Sequence, residues 1–393
     1  MLIAADKFKG SLTAVQVAER VTAGLHRVAP GVAVEALPVA DGGDGTVAAA
    51  VAGGFERREV RVTGPLGNEV TAAYALKDGT AVVEMAEASG LQLLPEGVFA
   101  PLTSTTYGSG ELIRAALDAG ARRILVGCGD SGTSDGGAGA LQALGARLLD
   151  LDGRELPRGG RELTRLNRID PSGIDPRLAD TEIRVACNPY NVLCGERGVA
   201  RVFGPQKGAT PAQVEQLAAA LEHWAHLLTR DLHVRADLFE GPGTGASGGL
   251  GAGLAALGAA LLPRFDVLLD RLDLDARLAR ADLVITAEGA LDHQTPRGKV
   301  PAEVARRAKL SGRPVLVLAG TIGAGAHAVR SVGVDAYSSI LPAPMSMTEA
   351  LGRGGEFLTD ATERALRMIQ LGSRLPLQAA APVSGTHRPS SVR

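Results

Sequence analysis

The chain has 393 residues, 45% of them hydrophobic and only 3% aromatic, and its 41 Lys and Arg almost balance 43 Asp and Glu for a net charge of -2. That balance speaks against a nucleic-acid or membrane-surface protein, which would carry a basic excess, and the longest apolar run, near residues 250–262, is too short and too rich in glycine to span a bilayer. The length exceeds what one core usually organises, so two domains packed with small aliphatic side chains are expected, as in α/β proteins.

Residues 2–5 read as a short buried strand leading into DKFKGSL. Val17, Val21, Leu25 and Val28 recur three or four apart, which predicts a helix over 13–28 with Thr13 as its cap. A strand over 32–37 precedes PVADGGDGT, and a helix over 47–51 stops at Gly53-Gly54. Consecutive strands then follow at 59–62, 70–76 and 81–85, joined by GPLGN and KDG turns. This change from β-α alternation to hairpins marks a new domain near residue 63. A helix over 111–119, a strand over 123–126 and a helix over 138–144 come next, and 150–180 read as loops. Pro211 opens a helix running to about Thr229, and 250–261 form another. Alternation returns with a strand over 283–286, a helix over 302–310 and a strand over 314–319. The two ends share one grammar, so a discontinuous domain of 1–62 plus 282–372 is expected around an inserted domain of 63–281. Residues 374–393 lack any core pattern and read as a disordered tail. Cys128, Cys187 and Cys194 form no CxxC pair and are expected to be small buried residues. The N-terminus reads as a strand, not a signal peptide, which points to a cytoplasmic setting.

Parallel α/β sheets place ligands at the carboxyl ends of strands. There the sequence puts Asp6, Lys7, Lys9 and Ser11; then Asp41, Gly42, Gly43, Asp44, Gly45 and Thr46; then Asp130, Ser131, Thr133, Asp135, Gly136 and Gly137; then Glu288, Asp292, Arg297 and Lys299. Each group alone also suits a bland role: DGGDGT a turn, the lysines a solvated surface, Asp135 a helix cap, Arg297 a loop. Together they suit phosphoryl transfer. Glycine amides and lysines receive phosphate, and crowded carboxylates call for a cation, Mg²⁺ being the one that accompanies phosphates. GxxxxGK[ST] is absent, which excludes the P-loop, and no GxGxxG follows the first strand, which removes the standard dinucleotide site. Among the histidines only His293 sits in such a block, and Trp224 reads as core or interface.

DKFKGSL, PVADGGDGT, VVEMAEASGLQLL, TSTTYGSGELI, SGTSDGGAGALQALG, FGPQKGAT, GASGGLGAG and AEGALDHQTPRGK occur in that order, and the chain to about residue 370 resembles the bacterial glycerate kinase family. The resemblance implies two α/β domains. One is Rossmann- or flavodoxin-like and built from both chain ends, the other is inserted between them, and the active site lies in the cleft. It implies Mg²⁺-assisted transfer from ATP to D-glycerate, mostly at the 2-hydroxyl, in glyoxylate metabolism. On this footing Asp41, Asp44, Lys7, Lys9 and Glu288 are expected to be catalytic. Gly42, Gly43, Gly45, Thr46, Asp135, Gly136 and Gly137 are expected to hold the nucleotide. Arg297, Lys299 and Ser11 are expected to hold the acid substrate, and Asp44, Glu288 and Asp292 the metal. Small molecules are the expected partners, on a monomer or homodimer without nucleic acid or membrane. The chain departs from the family pattern in Ala287 and Ala290, where the family has Gly and Arg, and in the added Asp130. The missing Arg at 290 keeps open a kinase for another small hydroxy acid, and an idle ligand-sensing relative is a separate alternative, against which the acids at 41, 44, 288 and 292 speak.

Overall fold

The computed structural model describes residues 1–234, 236–268 and 273–375, with the backbone but not the side chain of Arg297. The expected tail over 374–393 therefore lies outside the described residues apart from its first two. The strands, in chain order, are β1 (Leu2–Ala5), β2 (Glu35–Pro38), β3 (Glu56–Thr63), β4 (Glu69–Lys77), β5 (Thr80–Glu84), β6 (Arg123–Gly127), β7 (Arg147–Leu149), β8 (Arg168–Asp170), β9 (Glu182–Cys187), β10 (Ala260–Pro263), β11 (Val284–Leu291), β12 (Val315–Ile322) and β13 (Ala336–Ser339).

The fold is α/β. One sheet runs β13-β12-β11-β1-β2 with every neighbouring pair parallel, so both ends of the chain supply it. Its strands alternate between two apolar faces, as the two-residue period of a strand requires. Ile3, Ile285 and Leu316 meet Val17, Val21, Leu25, Phe357 and Leu358 on one face. Leu2, Val284 and Val315 meet Leu274, Leu278, Val300 and Val304 on the other. The helix Ala14–Val28 starts as expected, Thr13 and Gln16 forming a reciprocal capping box. It lies so close to the helix Gly354–Gly372 that a Cβ on Gly24 would stand 2.5 Å from the Thr359 carbonyl oxygen.

The second sheet runs β10-β9-β6-β5-β4-β3, parallel as far as β5 and antiparallel beyond it. β3 belongs here, paired with β4 along its whole length. The region expected as loops, 150–180, contains β8, which pairs with β7. The helix expected over 250–261 is instead Ala246–Ala256, because Gly258 turns with φ +89° and 260–263 extend as β10 beside β9. Trp224 is fully buried and donates through Nε1 to the Gly136 carbonyl at 2.9 Å. The three cysteines are free and buried. Among the described residues no helix is long and apolar enough to cross a membrane.

Candidate active site

β1 and β11 lie side by side, and the chain continues from them to opposite edges of the sheet, towards β2 and towards β12 and β13. Such a switch point opens a crevice at the strands' carboxyl ends. A cavity of about 490 Å³ lies there, lined by Asp6, Lys7, Ser11, Asp41, Asp130 and Glu288 among others. Asp6 follows directly on β1, and Glu288 sits within β11 opposite Ala319 of β12. Burial and the neighbouring Asp41 push Asp6 up to about 8, despite a backbone N–H bond from Lys7 at 2.7 Å. Burial likewise pushes Glu288 up to about 7 against the pull of Lys299. Glu288 Oε1 stands 3.1 Å from Lys299 Nζ, while its Oε2 is buried without a hydrogen-bond partner.

The two lysines of DKFKGSL converge on one carboxylate. Lys7 Nζ donates to Asp130 Oδ2 at 3.0 Å and to the Asp44 carbonyl at 2.6 Å, and Lys9 Nζ donates to Asp130 Oδ1 at 2.9 Å. Burial works to raise Asp130, yet the lysines hold it down at about 2. Asp130 comes from the loop after β6, so this cluster joins the two sheets' loops across the crevice. Its left-handed backbone (φ +49°) packs against the DGGDGT loop, where a Cβ on Gly43 would lie 2.5 Å from Asp130 Oδ2. Behind it, buried Lys207 donates to Ser131 Oγ at 2.9 Å and the Thr133 carbonyl at 2.6 Å, and burial lowers it to about 8.

The amides expected to hold nucleotide phosphate in DGGDGT already face protein carboxylates. Gly43 N–H donates to Asp41, Asp44 N–H to Asp130, and Gly45 and Val47 N–H to Glu84. Thr46 Oγ donates to the Gly43 carbonyl at 2.7 Å, and Gly42 turns with φ +89°. Glu84, buried at the end of β5 and pushed up to about 8 by burial, is a residue that sequence reasoning passed over, since it looks like any strand end.

Asp135 also lies within the protein interior rather than at the crevice. It is fully buried and accepts from Thr106 N–H and Oγ–H and from the Gly137 and Gly139 N–H groups. Gly136 and Gly137 pack tightly against Trp224 and Leu250. Asp135→Ala is expected to lower stability by about 3 kcal/mol, since it strands several buried donors; urea denaturation checks this. Unchanged stability with lost ATP binding would return Asp135 to a ligand role.

Asp44 is largely exposed, 3.4 Å from Lys7, and lines a neighbouring cavity rather than the one holding Glu288. Asp292 accepts from Gln294 N–H and stands 3.6 Å from Lys299 Nζ. Asp44, Glu288 and Asp292 are thus not gathered at one point, and among the described residues no three His, Cys, Asp or Glu side chains form a metal-holding group. Lys299 Nζ donates to the Ala290 carbonyl at 3.0 Å and stands 3.1 Å from Glu288, so protein groups already occupy the ammonium expected to hold the acid substrate. Ser11 Oγ donates to the Leu351 carbonyl at 2.7 Å on the cavity wall. Arg297 belongs to the turn Thr295–Arg297, and its side chain lies outside the described ones. His293 is exposed.

Arg264 has no motif to announce it. It follows β10 in the second sheet, crosses to the first, and donates to Asp41 Oδ2 at 3.0 Å and to the Gly298 carbonyl. Only the folded chain brings these residues together.

A family model described as the glycerate kinase family matches residues 1–370. Among curated proteins, the chain is 45% identical to a glycerate kinase of Halalkalibacterium halodurans, over 92% of this chain and 96% of that one. It is 43% identical to the glycerate 2-kinase of Escherichia coli K12, over 95% and 99%. A solved structure from Salmonella typhimurium LT2, described as a glycerate kinase 2, superposes with a TM-score of 0.81 at 44% identity, over 95% of this chain and 99% of that one. The order of the motifs, the switch-point crevice and these likenesses agree: the chain is an enzyme, a kinase, and it belongs to the glycerate kinase family.

Proposed function

We propose that this kinase transfers the γ-phosphoryl group of ATP to the 2-hydroxyl of D-glycerate, giving 2-phosphoglycerate and ADP, with Mg²⁺. The observation that carries this reading is the buried, unpartnered Oε2 of Glu288 in a crevice that also holds Lys7 and Lys9. A carboxylate near 7 is poised to accept a hydroxyl proton at neutral pH. The hydroxyl oxygen bonds to the γ-phosphorus, the bond to the β,γ-bridging oxygen breaks, and the hydroxyl proton passes to Glu288. Lys7, the less exposed of the two, offsets charge on the phosphoryl oxygens as transfer proceeds, and Lys9 offsets the glycerate carboxylate once it replaces Asp130. Lys299 positions Glu288, and Ser11 lines the acceptor's side. The separate assignment of Arg297 to the glycerate carboxylate rests on guanidinium–carboxylate geometry alone.

Asp6 and Asp41 fit Mg²⁺: burial and then the like charge of Asp41 raise Asp6, and a hard cation held by the two carboxylates would relieve both. Mg²⁺ commonly takes one or two carboxylates, with phosphate oxygens and water completing its shell, so a larger acid cluster is not needed. When bound, it supplies charge neutralisation on the transferring phosphate. We also propose that the two sheets mark two domains, divided as 1–62 plus 282–372 and 63–281 except that the helix Thr46–Ala52 and β3, packed on the second sheet, move the first boundary to before Thr46, and Leu274–Arg280, packed on the first sheet, moves the second to before Leu274.

The test is phosphate transfer from ATP and Mg²⁺ to D-glycerate, read through enolase with no mutase added. Enolase signal is expected; ADP release that reaches enolase only after mutase addition would assign the 3-product. A second reading, a kinase for another small hydroxy acid, is favoured by Ala290, which lines the cavity where the resembled family carries Arg. A panel of hydroxy acids separates the two.

A further inference from the structure

A second cavity, of about 660 Å³, lies between the loop after β9 and the turn after β11. Its lining carries Arg197, Arg264 and Lys299 and no Asp or Glu, in contrast to the acid-rich crevice. Tyr190 and Phe203 add aromatic surface, and Asn188, Asn191 and Gln294 add amides. Two ion pairs form the partition between the cavities, Asp41–Arg264 at 3.0 Å and Lys299–Glu288 at 3.1 Å. In each pair the acid lines the first cavity and the cation lines the second.

From this polarity we infer that the second cavity is the nucleotide site: the adenine meets Tyr190 and Phe203, and the polyphosphate runs past Arg197 towards Arg264 and Lys299. Its size lies in the range of small-molecule sites. An acid-free wall with three cations suits a polyanion, and an aromatic surface suits a purine base. The γ-phosphoryl then arrives at the partition, with Glu288 and the acceptor on its far side. This also accounts for the DGGDGT amides being occupied by carboxylates, since the nucleotide binds elsewhere. The inference rests on the chain being an ATP-dependent kinase.

Arg197 is exposed and makes no ion pair or hydrogen bond among the described residues, so Arg197→Glu leaves the fold's contacts intact. ATP binding by equilibrium dialysis and steady-state kinetics are measured on the full chain for wild type, Arg197→Glu, Tyr190→Ala and Lys9→Glu, with circular dichroism as the folding check. Arg197→Glu is expected to raise the Kd and KM for ATP at least tenfold and leave the glycerate KM within twofold, and Tyr190→Ala to raise the ATP Kd several-fold. Lys9→Glu is expected to do the reverse, raising the glycerate KM and sparing ATP binding. Unchanged ATP binding in both cavity variants, or its loss in Lys9→Glu alone, would overturn the assignment. If wild type fails to phosphorylate glycerate while Arg197→Glu still loses ATP binding, the proposed substrate fails and the nucleotide site stands.

Discussion

Glu288→Gln is expected to lower kcat by about a thousandfold, within the 10²–10⁴ that a positioned base contributes, while the KM for ATP changes little. Glutamine matches the shape of the glutamate, and its carbonyl oxygen can face Lys299 as Oε1 does at 3.1 Å. What it lacks is a carboxylate to take the proton. Wild-type kcat/KM should climb with pH through about 7 as Glu288 loses its proton, because burial raises this group from its ordinary range. In the variant that rise should disappear, leaving a flat, low profile over the same interval. Turnover within a few-fold of wild type, or an unchanged pH profile, would remove Glu288 from the chemistry.

The local grammar of the chain was well expressed in its sequence. Thr13 and Gln16 announce the first helix, and both do what their spacing implies. The residues DKFKGSL, DGGDGT and AEGALD stand at strand ends because apolar runs precede them, and the fold brings Asp6, Lys7, Asp41 and Glu288 to one cavity. What a linear reading cannot supply is who neutralises whom. Asp130 meets Lys7 across 123 positions, and Arg264 meets Asp41 across 223. Glycine-rich loops advertise free amides, yet whether these face phosphate or a carboxylate such as Glu84 depends on tertiary placement. Asp135 reads as a cap for the helix after it, and its contacts with Thr106 show that it also ties that helix to another. The late leucines of 250–261 carry no sign that Gly258 turns them into a strand; only pairing with β9 decides it.

Asp6→Asn should cost activity and gain stability. The carboxylate is placed where Mg²⁺ would bind, so kcat at fixed Mg²⁺ is expected to fall at least a hundredfold, with a higher Mg²⁺ requirement. The stability effect runs the other way. In the folded chain Asp6 titrates near 8, whereas unfolded aspartate titrates near 3.8. Between those values the folded state binds more protons than the unfolded state, so stability falls as pH rises from about 4 to about 8. Above that window the buried carboxylate is charged beside Asp41, and the full penalty applies. Asparagine has no charge to bury, and its amide oxygen can still accept the Lys7 N–H bond. In metal-free buffer the variant should therefore unfold at a higher temperature than wild type at pH 8.5, with the difference shrinking towards pH 4.5. Calorimetry across that range checks it, and adding Mg²⁺ should raise the wild-type midpoint at pH 8.5 more than the variant's. Equal midpoints at both pH values would mean that Asp6 is not the raised group, and an equal response to Mg²⁺ would place the ion elsewhere.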